Sequence, residues 1–190
     1  QTATITDGHI SWAQLSLDEH QSWVSDLTGF TFYNGTMGVA FTLAQWHRLY
    51  SCRDCQRMTE QILKSIYHHI SEHPAVGFGL NGYAGMLYAA HHIHQCGFDE
   101  AKPIIDHLIQ HPNATPNHHD EVFDLMGGIC HDITTLLHLK NDYNLEESTI
   151  HEKMNFLKEK CPDPTTFAHD EDSHFEDGTI HPPLLSYAHG

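Results

Sequence analysis

Histidine, cysteine and carboxylate are the residue types here that could do chemistry, and the sequence holds 20 His, five Cys and 25 Asp plus Glu. Their spacing decides which of them could act together. Cys52-Arg53-Asp54-Cys55 sets two thiols three residues apart. A zinc site needs two more ligands and a thioredoxin-like dithiol needs a βαβ setting; neither is visible, so the pair reads as part of a connection between helices. His91-His92-Ile93-His94 can bring His91 and His94 to one side of a helix, which suits an improvised metal site or a plain polar surface. Asp124 stands just ahead of an apolar run, a natural place for a helix N-cap. Tyr33 and Tyr83 each stand near a glycine, where a tyrosine could line a peptide groove or pack at a helix start.

These residues sit in a repeated layout. Phe32-Tyr33-Asn34-Gly35-Thr36-Met37-Gly38, Gly79-Leu80-Asn81-Gly82-Tyr83-Ala84-Gly85 and Phe123-Asp124-Leu125-Met126-Gly127-Gly128 align on Gly35, Gly82 and Gly128, at steps of 47 and 46 residues. Gly190 gives a fourth mark 62 residues on, with the extra length in the acidic, proline-containing stretch 161–183, which reads as a long loop. Each mark leads into an apolar helical run: Val39, Phe41, Leu43, Ala44, Trp46 and Leu49; Met86, Leu87, Ala89, Ala90 and Ile93; Ile133, Leu136, Leu137 and Leu139. A second helix follows in each unit, with stripes at Met58, Ile62, Ile66 and Ile70, at Ile104, Ile105, Leu108 and Ile109, and at Ile150, Met154 and Leu157. The unit is therefore glycine turn, helix, linker, helix, which predicts an all-α array of helical hairpins, either a solenoid or a closed α/α barrel. Glycine would serve positive φ at the turns or close backbone approach. Only Thr2-Ala3-Thr4-Ile5-Thr6 reads as a short strand.

Composition sets outer limits. A formal net charge of −16 repels phosphate backbones and argues against nucleic acid as a partner. No run of 18 apolar residues predicts a membrane span. Five scattered cysteines suggest a reduced, cytoplasmic chain more than a disulfide framework.

The glycine motifs resemble those of the lanthionine synthetase C-like cyclases, over about residues 9–190. Phe32-Tyr33-Asn34-Gly35-Thr36-Met37-Gly38 is similar to that family's first motif and Gly82-Tyr83-Ala84-Gly85 to its second. The 123–128 stretch is similar to the third, which opens on a functional Asp, and Ala188-His189-Gly190 to the fourth. Ile10-Ser11-Trp12 and Asp26-Leu27-Thr28-Gly29 resemble the entry to the cyclase domain of class II lanthipeptide synthetases. The resemblance implies residues 1–30 as an entry segment and 31–190 as the first half of an α/α toroid. It implies thioether formation by adding peptide Cys thiols to dehydroalanine or dehydrobutyrine, with His189 as the acid and Asp124 as its partner. It implies zinc, whose family ligands, a Cys and then a Cys-His pair, would lie beyond Gly190, so that this stretch alone is expected to be inactive. Cys130-His131 is such a pair by type, but in the wrong motif, and His131 stands where the third motif has its second glycine. Implied partners are a precursor peptide, the missing C-terminal half and a dehydratase domain.

Two readings of other kinds compete. A non-catalytic helical repeat module could bind a peptide or protein partner without any zinc requirement. A sugar-processing α/α-barrel enzyme could use Asp124 as a general acid, but it needs a second carboxylate at a motif position, and none stands out.

Overall fold

A computed structural model describes residues 4–6, 9–17, 22–73, 77–112 and 127–160. From residue 36 onward the described elements are helical. They alternate between long helices that begin on glycine and their partners: α1 (Thr36–Tyr50) and α2 (Arg53–Glu72), α3 (Tyr83–Gln95) and α4 (Lys102–Gln110), α5 (Ile129–Tyr143) and α6 (Glu147–Lys160). Gly35, Gly82 and Gly128 are the residues that precede α1, α3 and α5, as the alignment expects.

Two layers result. Helices α1, α3 and α5 pack side by side, and each pairs with its own successor, while α2 also meets α4. The inner three run parallel: Phe41 of α1 meets His92 of α3, His92 meets His138 of α5, and His47 near the end of α1 meets Phe98 just beyond α3. The core lies between the layers. Met37, Ala40 and Ala44 of α1 are buried there with Ile62, Ile66 and Ile70 of α2, and with Met86, Leu87, Ala90 and Ile93 of α3. Small residues on α1 and α3 let the helices approach closely, and the longer side chains of α2 and α4 fill the space. Not all of the apolar run of α1 is used: Trp46, Leu49 and Tyr50 are exposed.

The connections within the first and third helix pairs are short. Ser51 in the left-handed region and Cys52 alone link α1 to α2, and Asn144, also left-handed, ends α5. Asn tolerates that conformation better than most residues.

The entry segment differs from expectation. Instead of a single short strand it holds two antiparallel hairpins, β1 (Thr4–Thr6) with β2 (His9–Ser11), and β3 (Ala13–Leu17) with β4 (Trp23–Leu27). The first docks on α2, where the Ile10 amide donates to the Ser65 hydroxyl at 3.3 Å and Ile10 is buried. In the second, Ala13, Leu15 and Leu17 pair with Leu27, Ser25 and Trp23 at period two. Such pairing over five residues is a strand signal that helix-period reading passes over.

Candidate functional site

The glycines define one end of the inner layer. A Cβ on Gly38 would come within 2.2 Å of the Phe32 carbonyl oxygen, and one on Gly85 within 2.0 Å of that of Leu80. The loops before α1 and α3 cross back over the first turn of the helix, and only glycine leaves room there. Gly35 and Gly82 face similar approaches, and both have negative φ. Close approach, not positive φ, is therefore what Gly35 and Gly82 provide, whereas Gly79 at the head of the second motif has a φ of 70°.

Beside the first glycine turn an open groove of about 750 Å³ is lined by Trp12, Phe32, Tyr33, Val39, Phe41 and other residues of α1 and its entry. Tyr33 stands on it, 66% exposed. The groove is mainly apolar and aromatic, with hydroxyl and amide groups from Thr28 and Asn34, a surface suited to an extended peptide.

Tyr83, the other predicted substrate contact, lies elsewhere: it has no exposed surface and its hydroxyl has no hydrogen-bond partner among the described residues. It belongs to a buried polar knot that the sequence did not reveal. Asp132, in the first turn of α5, has no exposed surface. It accepts a hydrogen bond from the Gly79 amide at 2.9 Å and another from the Ala84 backbone, and it lies 3.4 Å from the Lys153 ammonium. Lys153, itself buried, sits 5.3 Å from the Phe78 ring centroid and 5.9 Å from that of Tyr83. Burial is the largest influence and pushes the Asp132 carboxyl up to about 6, against the lowering effect of Lys153 and the backbone amides. Burial likewise lowers Lys153, against Asp132, and raises the Tyr83 phenol, with the Asp132 charge adding to it. The knot ties the second glycine loop to α5 and α6, and so fixes the starts of two neighbouring inner helices.

Histidines form a further cluster toward the C-terminal ends of α3 and α5. His91 is buried; its Nδ1 bonds the Tyr143 hydroxyl at 2.8 Å and its Nε2 bonds the Gln95 side-chain amide at 2.9 Å. Burial, then the neighbouring His92, holds His91 below the usual histidine value. His131 stands in the first turn of α5, half-buried and lowered by burial, and its Nε2 has no partner among the described residues. No group of three or more His, Cys, Asp or Glu side chains that could hold a metal ion occurs among the described residues. The His91 and His94 pair therefore does not grow into a metal site there.

Cys52 and Cys55 form a disulfide, contrary to the reduced chain expected from cysteine count. The first turn of α2 brings the residues together, with Cα atoms 5.3 Å apart. Cys96 is a free thiol. Asp124 and His189, the predicted catalytic pair, lie outside the described residues. None of the described helices is long and apolar enough to cross a membrane.

Among protein families, residues 26–190 match the one described as Lanthionine synthetase C-like protein. No curated protein and no solved structure matches the chain.

Proposed function

Because the chain belongs to the lanthionine synthetase C-like family, we propose that it is part of a lanthipeptide cyclase, which closes thioether rings in a dehydrated precursor peptide. In the reaction a cysteine sulfur, having lost its proton, adds to the β-carbon of dehydroalanine or dehydrobutyrine. The C–S bond forms, the alkene electrons move toward the neighbouring carbonyl as an enolate, and the α-carbon takes up a proton. In this reading His189 is the imidazolium that delivers that proton, and the proton given up by the thiol restores it. Asp124 orients the imidazole and favours its charged form. Tyr33 and the groove beside it hold part of the peptide.

The observation that carries the reading is the agreement of two facts. The family match extends over residues 26–190, and the glycine turns within it start parallel inner helices beside an open, aromatic-lined groove. Zinc, which the family implies, finds no set of ligands among the described residues. Activation of the thiol is therefore assigned to none of the described residues.

The test uses the full-length protein, a dehydrated precursor peptide and maleimide capping of unreacted thiols, read by mass. The His189→Ala variant is expected to leave the peptide thiols free, with a rate at least about 100-fold below that of the parent. Asp124→Asn is expected to shift the pH profile as well as lower the rate. Ring closure at the parent rate by His189→Ala would sink the assignment.

A further inference from the structure

The Cys52–Cys55 disulfide is absorbed by nothing proposed above. A structural disulfide stabilises chiefly by closing a long loop. This one spans a sequence separation of only three, inside a turn already fixed by other bonds. The Ser51 amide donates to the His47 carbonyl at 2.7 Å, the Gln56 amide to the Cys52 carbonyl at 3.0 Å, and His47 Nδ1–H to the same Cys52 carbonyl at 2.9 Å. The His47 ring in turn packs edge-on against buried Phe98. These bonds hold the two sulfurs together whether or not they are joined.

The two sulfurs differ. Cys52 is the N-cap of the 20-residue helix α2, and its Sγ accepts a hydrogen bond from the Cys55 amide at 3.2 Å. A helix N-terminus with an amide aimed at sulfur favours the thiolate. A second feature points to a ligand. All three arginines of the sequence, Arg48, Arg53 and Arg57, lie within ten positions around this pair, in a chain of net charge −16. All three are exposed, and only Arg57 pairs with a carboxylate in this turn, that of Asp54 at 3.1 Å. Both cysteines are partly exposed.

We propose that Cys52–Cys55 is a redox-active disulfide that exchanges with small anionic thiols gathered by the arginine island. A thiolate R–S⁻ attacks Cys55 Sγ and the S–S bond breaks. Cys52 leaves as the thiolate held by the α2 N-terminus, because the better-stabilised sulfur is the better leaving group. A second R–S⁻ attacks the R sulfur of the mixed disulfide, giving R–S–S–R and freeing Cys55, which takes a proton. Two thiols are oxidised, one protein disulfide is reduced, and the direction reverses when R–S–S–R is in excess. The site is independent of the cyclase reading, and its test needs no precursor peptide.

The experiment incubates the full chain with glutathione, an anionic thiol, or with cysteamine, a cationic one, at equal thiolate concentration. Acid quenching, alkylation and peptide mass then read the state of each cysteine. Reversible opening and closing across glutathione ratios is expected, with glutathione at least about threefold faster than cysteamine at low salt. That preference should collapse toward unity at high salt and in Arg48→Glu/Arg53→Glu. In the reduced chain at pH 6, iodoacetamide should modify Cys52 at least about tenfold faster than Cys55. Cys55→Ser, which keeps the Cys52 sulfur at the N-cap, should retain that fast labelling. A bond that resists glutathione in the folded chain, preferential labelling of Cys55, or equal rates for the two thiols at all salt concentrations would each overturn the proposal.

Discussion

A carboxylate with no exposed surface must be matched by partners or give up its charge. Asp132 does some of each: two backbone amides and Lys153 hold its charged form, while burial raises its carboxyl to about 6 from an ordinary 3.8. The folded chain therefore retains this proton up to about pH 6, whereas the unfolded chain releases it near pH 4. Between those values the folded state binds more protons, so this group's contribution to stability falls as pH rises. Asp132→Asn should remove that component, and urea titrations at several pH values, compared with the parent, would show it. Removing only one partner is the harsher change. Lys153→Met should cost about 3 kcal/mol at pH 7, since it takes the cation from a buried carboxyl and leaves it only its backbone hydrogen bonds. The double variant Asp132→Asn/Lys153→Met should recover part of that loss, and additive losses in the cycle would contradict a coupled pair. None of this was legible in the sequence. Asp132 lies 53 positions from Gly79 and 21 from Lys153, and no local spacing encodes pairings at such distances. Tyr33 and Tyr83 illustrate the same limit, since both stand in glycine motifs yet one faces the groove and the other the knot.

The helices were far more legible than the contacts, because a helix face repeats every three to four residues and the sequence carries that period directly. Ile62, Ile66 and Ile70 were expected on one face of α2, and all three are buried. Where neighbours along the chain do not decide burial, the period misleads: Trp46, Leu49 and Leu137 belong to apolar runs but are exposed. The first hairpin of the entry segment escaped for a related reason, since a short strand earns its stability from docking, as Ile10 does on α2. The glycine turns were found by their register, and the structure supplies their physical cause. A methyl group at Gly85 would overlap the Leu80 carbonyl, a backbone atom that cannot rotate away. Gly85→Ala should therefore destabilise the chain by about 2 kcal/mol or more. Gly77→Ala, where a Cβ meets nothing within 4 Å, should change stability by less than about 0.5 kcal/mol. Equal urea midpoints for the two variants would contradict the close-approach role.

On the scale of the whole molecule, a −16 chain with 20 histidines invites a question about acid. Five of the imidazoles, those of His69, His91, His92, His107 and His131, are lowered from the ordinary value of 6.5, in every case mainly by burial. The unfolded chain takes up these protons near pH 6.5, and the folded chain only at lower pH. In that interval the unfolded state binds more protons, so stability falls as pH falls, opposite in sign to Asp132. The windows separate the effects. Ordinary carboxylates titrate near pH 4, so between pH 7.5 and 6.0 the charge of −16 is offset only by protonation of imidazoles. Asp132 acts between about 4 and 6. From pH 7.5 down to 6.0 the imidazoles dominate, and the chain is still above its calculated isoelectric point of about 5.5. The urea midpoint is therefore expected to drop over that range, and the drop should shrink in His91→Gln and in His131→Gln. A midpoint that holds level or rises between pH 7.5 and 6.0 would mean that these imidazoles accept their protons as readily in the fold as in the unfolded chain. The buried cluster between α3 and α5 would then have to be open to water.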